Sequence, residues 1–349
     1  MADPAAAPAP AVAEPAAPAV VASELTKVYR GGVKAADRVS LSAAGGEVVG
    51  VVGPNGAGKS TTLNMLATLL RPTSGTATIW GIPLEDADRV RPLLGVALQR
   101  AGLDPLMTGA EHFEVQAALY RLASDVAGRR RSELVDRFEL GPYLDRTVGQ
   151  YSGGIQRRLA LALALLADPP VVIFDEPSVG LDPRSRRNLW DLIRGLRAEG
   201  RAVLLSTQYL EEADALCDRV YLIDHGAIVL AGAPAELKRR AGGATLRVEV
   251  GESPEALLDA VRAELPRLEA SVDGATVVFG LDGDVSIAGR VLLAAQQRGV
   301  AVRSLRVSEP TLDDVFLRFT GRAVEAEPLS GEGFDLGARM QRGGGKRWR

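Results

Sequence analysis

Short apolar or alternating runs alternate with longer runs of helical spacing along most of the chain, the pattern of a mixed α/β protein. Val20–Val28 and Val39–Ala44 read as two strands separated by the Gly31-Gly32 turn. Glu47–Val52 reads as a buried strand and Thr61–Leu70 as a helix, stopped by Arg71-Pro72-Thr73-Ser74-Gly75. Thr76–Trp80 is β-branched and alternating, a further strand of the same antiparallel layer, and Leu94–Leu98 is another short apolar run. From 110 to 140 the character changes. Glu111–Leu122 and Arg131–Leu140 have helical spacing and form a helical insert, with Arg129-Arg130-Arg131 as a solvated turn between them.

The alternation then resumes. Leu159–Ala167 reads as helix, Val171–Phe174 as buried strand, Arg184–Arg197 as helix, Ala202–Ser206 as strand and Tyr209–Leu216 as helix. Val220–Asp224 and Ala227–Leu230 form a hairpin over His225-Gly226, and Pro234–Arg240 closes the unit. After Ala241-Gly242-Gly243 the pattern restarts. Leu246–Val250 and Val300–Val307 read as strands and Ser271–Phe279 as a hairpin over Asp273-Gly274. Pro254–Leu265, Val285–Arg298 and Thr311–Phe319 read as helices. This predicts a main α/β domain at 21–241, its helical part at about 100–168, and a small α+β domain at 245–321 with an interaction or structural role. The Ala/Pro-rich 1–20 and the Gly-rich 322–349, which ends in Lys346-Arg347-Trp348-Arg349, read as disordered tails.

Composition narrows the partners. The 349 residues carry a formal net charge of −3, so no basic face argues for nucleic acid. The single cysteine, Cys217, forbids an internal disulfide and is expected half-buried on a helix. No stretch has the length of a membrane span, and the N-terminus lacks a signal peptide's basic start and apolar core. A cytoplasmic protein is expected, with any membrane span supplied by another chain.

Chemistry concentrates in Gly53-Pro54-Asn55-Gly56-Ala57-Gly58-Lys59-Ser60, a phosphate-binding loop set between a strand and a helix. Its backbone N–H groups converge on an anion, and the helix N-terminus adds partial positive charge. Lys59 reaches the outer phosphates of a nucleoside triphosphate, and Ser60 offers a hydroxyl to Mg²⁺. Asp175 and Glu176 end a buried strand where ligands bind in open α/β sheets. Asp175 suits Mg²⁺, and Glu176 suits orienting or deprotonating a water. Ser152-Gly153-Gly154 opens a helix and makes a second anion-accepting N-terminus. Tyr29 is either a strand-end aromatic or a stacking face for a purine.

The phosphate loop, Gln99, Ser152-Gly153-Gly154, Asp175-Glu176 and Val179-Gly180-Leu181-Asp182, in that order, resemble the ATP-binding cassette (ABC) ATPases over about residues 20–240. The resemblance implies a P-loop NTPase fold with a RecA-like core, an antiparallel β subdomain and a helical subdomain. It implies two copies pairing head to tail around ATP and Mg²⁺. Lys59, Ser60 and Thr61 would hold phosphates and metal, Gln99 would approach the metal and γ-phosphate, and Tyr29 would stack on adenine. Ser152, Gly153 and Gly154 would bind the γ-phosphate held by the opposite copy, and Asp182 would couple the two sites. The chain departs from the family in two motifs: Tyr151 and Ile155 replace the usual Leu and Gln at the ends of the signature, and Gln208 replaces the usual switch His. Gln208 can donate to a phosphate but carries no proton near neutral pH. That leaves Glu176 as base and Gln208 as positioner.

Thr207–Asp214, Leu66–Gly75 and Glu309–Leu317 are similar to the daunorubicin-resistance type of exporter ATPase, nearly end to end. That type works at the cytoplasmic face of a membrane with a separately encoded permease and exports drugs, antibiotics or other hydrophobic metabolites. Two alternatives stay open: a regulatory cassette with little turnover, and a soluble ABC protein of translation or DNA repair.

Overall fold

The structure, a computed structural model, describes residues 18–99, 102–240, 244–251, 254–281, 284 and 286–320. Residues 1–17 and 321–349, which hold most of both expected tails, lie outside the described residues, as does the linker at 241–243.

β1 (Pro18–Val28) starts within the segment expected to be a tail, and its partner β2 (Lys34–Ala44) extends further back than its apolar run. Asp37 and Arg38 interrupt that run, and an irregular register with Glu24 and Arg38 at positive φ (52° and 51°) absorbs them. β3 (Val48–Val52) is buried at every position. α1 (Lys59–Leu66) ends short of Leu70 because Thr68 turns left-handed at φ 59°. β4 (Ser74–Ile79) pairs with β1, and a short β5 (Ile82–Pro83) with β4. α2 (Ala87–Val90) leads to β6 (Leu94–Ala97).

α3 (Gly109–Leu119) opens on a capping box in which the Thr108 hydroxyl accepts from the Glu111 N–H and the Glu111 carboxylate accepts from the Thr108 N–H. α4 (Ser124–Arg137) corrects the expected boundary: Arg129–Arg131 sit inside a helix, not at a solvated turn. Arg130 is pinned there, with its guanidinium 2.7 Å from Asp168 and donating to the Leu165 carbonyl at 3.0 Å. α5 (Gly153–Ala164) starts directly after Ser152. There follow β7 (Val171–Asp175), α6 (Pro183–Ala198), β8 (Ala202–Thr207), α7 (Leu210–Leu216), β9 (Arg219–Asp224), β10 (Ala227–Gly232) and α8 (Pro234–Arg240). Cys217 lies just past α7, buried rather than half-buried, with its sulfur over Gly50, where a Cβ would meet it at 2.7 Å.

The main sheet has the order β10-β9-β3-β8-β7-β6, parallel except for the edge strand β10. The antiparallel sheet β2-β1-β4-β5 packs on one face of it through Leu25, Ile79, Leu63, Met65 and Ile173. On the other face Phe113, Phe138, Leu161 and Phe174 join the helical insert to the sheet. The parallel strands deliver the ends of β3, β6, β7 and β8 to one edge, which is where the candidate residues fall.

The C-terminal unit runs β11 (Thr245–Val250), α9 (Pro254–Glu264), β12 (Ala270–Asp273), β13 (Thr276–Gly280), α10 (Ser286–Gln297) and β14 (Val302–Ser308). Its antiparallel sheet has the order β12-β13-β11-β14 over its own core of Val248, Leu257, Phe279 and Val291. The last helix, α11 (Leu312–Thr320), returns to the main domain. Leu312, Val315 and Phe316 are buried in the main domain's core with Leu237, and α11 lies against α7, α8 and β10.

Candidate active site

The loop after β3 is held open by backbone. Gly58 sits at φ 102° before α1, and a Cβ there would run into the Ala35 carbonyl at 2.2 Å. A Cβ on Gly53 would meet the Ile223 carbonyl at 2.1 Å, so only glycine lets β3 pass beside β9. Lys59 is 4% exposed and folds back over this loop. Its ammonium donates to the Gly53 and Pro54 carbonyls at 2.9 and 3.1 Å and lies 3.2 Å from the Glu176 carboxylate.

The carboxylates come from the end of β7. Asp175 accepts from the Ser60 hydroxyl at 3.0 Å and from the Ser206 hydroxyl. Glu176 accepts from the Gln99 amide at 2.7 Å. Its backbone is left-handed, at φ 49°, a conformation costing a side-chain-bearing residue of order 1 kcal/mol or more. Ser206, on the neighbouring β8, stabilises it: the Glu176 N–H is held by the Ser206 hydroxyl and carbonyl at 2.9 and 3.2 Å. Gln208, at the end of β8, is buried, and its Oε1 has no hydrogen-bond partner. Such an orphan acceptor is costly unless a further group fills the site.

A cavity of about 200 Å³ at this edge is lined by Ala35, Asn55, Gly56, Gly58, Lys59, Ser60, Thr61, Gln99 and Glu176. The phosphate loop, Gln99 and Glu176 thus converge as expected from the sequence. Tyr29, Ser152, Gly153, Gly154 and Asp182 do not line this cavity. Tyr29 is 43% exposed, with the Lys27 ammonium 5.7 Å from its ring centre. Ser152 caps α5 by accepting from the Ile155 N–H at 3.4 Å, and both it and Gly153 are exposed. Asp182 caps α6: it accepts from the Ser185 hydroxyl and N–H and from the Arg184 N–H, which hold its carboxyl down at about 2.

Ser206 and Arg157 are part of the site and were not singled out from sequence. Arg157, on α5, is buried and donates to the carbonyls of Asp175 (2.7 Å), Pro177 (3.1 Å) and Leu98. It ties the helix behind Ser152 to the loops carrying Glu176 and Gln99. Burial pulls its guanidinium down to about 10, against the opposing pull of Asp175, Glu176 and Glu212. The available signal was an arginine inside the otherwise apolar face of α5.

The site fits a nucleoside triphosphate with Mg²⁺. The Lys59 ammonium, held by carbonyl and carboxylate oxygens, brings a cation to the cavity for phosphate oxygens, and Ser60 and Asp175 pair two hard oxygen groups. Among the described residues no group of His, Cys, Asp and Glu gathers as a ready-made metal centre. Mg²⁺ typically takes most of its ligands from phosphate and water, so two protein oxygens suffice.

The model of the family described as ABC transporter matches residues 36–179. A second, described as the C-terminal domain of DrrA1-3-like ATP-binding proteins, matches 232–320. The chain belongs to the ABC transporter ATP-binding subunits and is an ABC-type ATPase. Within that family it is 40% identical over 316 residues to the daunorubicin/doxorubicin resistance ATP-binding protein DrrA of Streptomyces peucetius, covering 88% of this chain and 94% of that one. It is 37% identical over 308 residues to the Nod factor export ATP-binding protein I of Sinorhizobium fredii, covering 87% and 88%. Among solved structures, an ATP-binding subunit of an ABC transporter matches with TM-score 0.60 and 28% identity, over 63% of this chain and 92% of that one. A dimeric cassette in a post-hydrolysis state, bound to ADP and Pi, matches with TM-score 0.57 and 29% identity, over 61% and 98%.

Proposed function

We propose that this chain powers export of a drug, antibiotic or other hydrophobic metabolite through a separately encoded membrane permease, by hydrolysing ATP at the cytoplasmic face of the membrane. The observation that carries the catalytic part is the convergence of Lys59, Gln99 and Glu176 on one cavity. Lys59 binds the outer phosphates and Glu176 takes the proton of the attacking water. Gln208 donates its amide N–H to the γ-phosphate and holds it in line. Ser60 and Asp175, with Gln99 nearby, would hold Mg²⁺, which neutralises phosphate charge when bound. Thr61 lines the phosphate end, and Tyr29 supplies a stacking face for adenine.

Ser152 and Gly153 at the start of α5 are exposed, and neither they nor Gly154 line the cavity at the phosphate loop. This supports a head-to-tail pair in which each copy's signature closes the other's site, with Asp182 coupling the two. A mostly apolar groove of about 270 Å³, lined by Ala67, Leu69, Leu94, Val96, Leu119 and Tyr120 with Arg91 and Gln116, supports docking of the permease. Leu69 and Leu119 are 57% and 73% exposed there. Among the described residues no helix is long and apolar enough to cross a membrane. The match of 232–320 to the drug-resistance C-terminal domain favours an exporter over a soluble translation or repair factor. The test is co-expression with a separately encoded six-helix permease found in the neighbouring reading frame. Inverted vesicles should accumulate a hydrophobic cationic drug in an ATP-dependent way; a complex that hydrolyses ATP without moving such compounds would remove the cargo class.

A further inference from the structure

Glu212 is a buried carboxylate that the proposed chemistry does not use. It lies in the first turn of α7 and is 1% exposed. Its Oε2 accepts from the Ser178 hydroxyl at 3.0 Å and its Oε1 from the Trp190 indole N–H at 3.1 Å. The Thr207 side chain lies beside it, and the Glu212 N–H donates to the carbonyl of Tyr209, just after Gln208, at 3.1 Å. These partners come from three separate segments. Ser178 follows closely on Glu176, in the tight turn where the Val179 N–H donates to the Glu176 carbonyl at 3.3 Å and the Leu181 N–H to the Ser178 carbonyl at 3.2 Å. Thr207 immediately precedes Gln208, and its hydroxyl also holds the Tyr209 N–H at 2.9 Å. Trp190 lies on α6, the helix capped by Asp182.

A carboxylate is the side chain suited to this place. It only accepts, and its two oxygens offer lone pairs to several donors at once. Burying it is costly, and the cost is tolerated only when such bonds are made. An apolar residue of the same size would pack without that cost but would leave the Ser178 hydroxyl and the Trp190 N–H unpaired. The hydrogen bonds to Glu212 therefore fix the relative placement of the Glu176 turn, the Gln208 loop and α6. The separation of Glu176 from Gln208 decides whether a water can sit in line with the γ-phosphate, and a misplacement of about 1 Å costs on the order of a hundredfold in rate.

We infer that Glu212 is a positioning residue for hydrolysis, acting through Ser178 and Thr207 on Glu176 and Gln208 without touching the nucleotide. The inference rests on the roles proposed above for Glu176 and Gln208.

The experiment uses the full chain and measures kcat for ATP together with Kd for a fluorescent ATP analogue, in Glu212→Leu, Glu212→Gln, Ser178→Ala and Trp190→Phe. Glu212→Leu should lower kcat by about 10- to 100-fold with Kd within about twofold of wild type. Glu212→Gln keeps an acceptor for Trp190, and the Ser178 hydroxyl can reverse to accept, so kcat should return to within about threefold of wild type. Ser178→Ala should lower kcat alone, and adding it to Glu212→Leu should cost little more, because the Ser178–Glu212 bond is already lost there. Wild-type kcat in Glu212→Leu overturns the inference, as do multiplicative effects of the Ser178 and Glu212 changes or a parallel loss of kcat and affinity. Should Glu212→Leu fail to fold, Ser178→Ala and Trp190→Phe carry the test, and wild-type kcat in both overturns it. Glu176→Gln run alongside separates the two readings. Full turnover in that variant overturns the reading of the site and this inference with it. An inactive Glu176→Gln beside an unaffected Glu212 series overturns this inference alone.

Discussion

The Lys59 ammonium lies 3.2 Å from the Glu176 carboxylate, and the two side chains are only 4% and 5% exposed. Each satisfies a charge the other could not afford to bury alone. On the roles proposed above, an arriving triphosphate offers Lys59 a stronger partner and leaves Glu176 held by the Gln99 amide.

Replacing Glu176 by Gln removes the proposed base and weakens the hold on Lys59. Turnover should fall by about 10²-fold or more, while ATP affinity stays the same or rises. ATP should then trap a dimer visible by size-exclusion chromatography. Wild-type turnover in this variant would eliminate Glu176 as the base.

Gln208 donates but does not titrate. Gln208→Ala should slow hydrolysis about tenfold or more without loss of ATP binding. Gln208→His should introduce into the kcat–pH profile an inflection near about pH 6.5 that the wild type lacks. Identical profiles in wild type and both variants would make Gln208 a bystander.

Arg157 serves three carbonyls from one guanidinium. Arg157→Leu leaves those of Asp175, Pro177 and Leu98 without it, and should destabilise the chain by about 3 kcal/mol. Urea unfolding would show this as a lower midpoint at unchanged slope. Arg157→Lys should recover little, because a single ammonium does not reproduce the fork.

Phe316 is fully buried in the main domain's core although it belongs to the last helix of the chain. Phe316→Ala should cost about 3–5 kcal/mol and lower Tm. Deletion of residues 245–349 strips α11 from α7 and α8, so the truncated chain should bind nucleotide with a lowered Tm and assemble poorly with the permease. A truncated chain with wild-type Tm would contradict the packing of α11.

Burial raises the Glu212 carboxyl above its ordinary value. Below that ordinary value it is neutral whether folded or unfolded, and burial carries no charge penalty. As pH rises through the raised folded value the buried group ionises and the penalty appears. Relative to Glu212→Gln, the wild type should lose stability with rising pH across that window. Urea unfolding of both chains over a pH series measures the difference, and a constant difference would mean that Glu212 does not titrate on folding.

Local features of this protein were legible residue by residue. The strand–glycine–helix loop at Gly53–Ser60, the Ser152 cap and the carboxylates ending β7 each depend on neighbours within a few positions, so period and turn chemistry reveal them. The family resemblance added Gln99 and Asp182 and favoured the stacking role for Tyr29. Sequence alone places the Arg129–Arg131 run at a turn, because charge does not show that Asp168 and the Leu165 carbonyl wait across the fold for Arg130. It shortens β2, because a bulge hides in sequence as an interrupted apolar run.

The chain's own pattern determined the α/β alternation, the phosphate loop and the identity of the groups that could do chemistry. Tertiary structure decided which of them meet. Lys59 reaches Glu176, Ser206 holds the strained Glu176 backbone, Arg157 gathers three carbonyls and Glu212 joins three segments, all because parallel strands far apart in sequence end at one edge. The physical reason is that a hydrogen bond or ion pair depends on distance and direction in space, and period and propensity constrain these only within a single element.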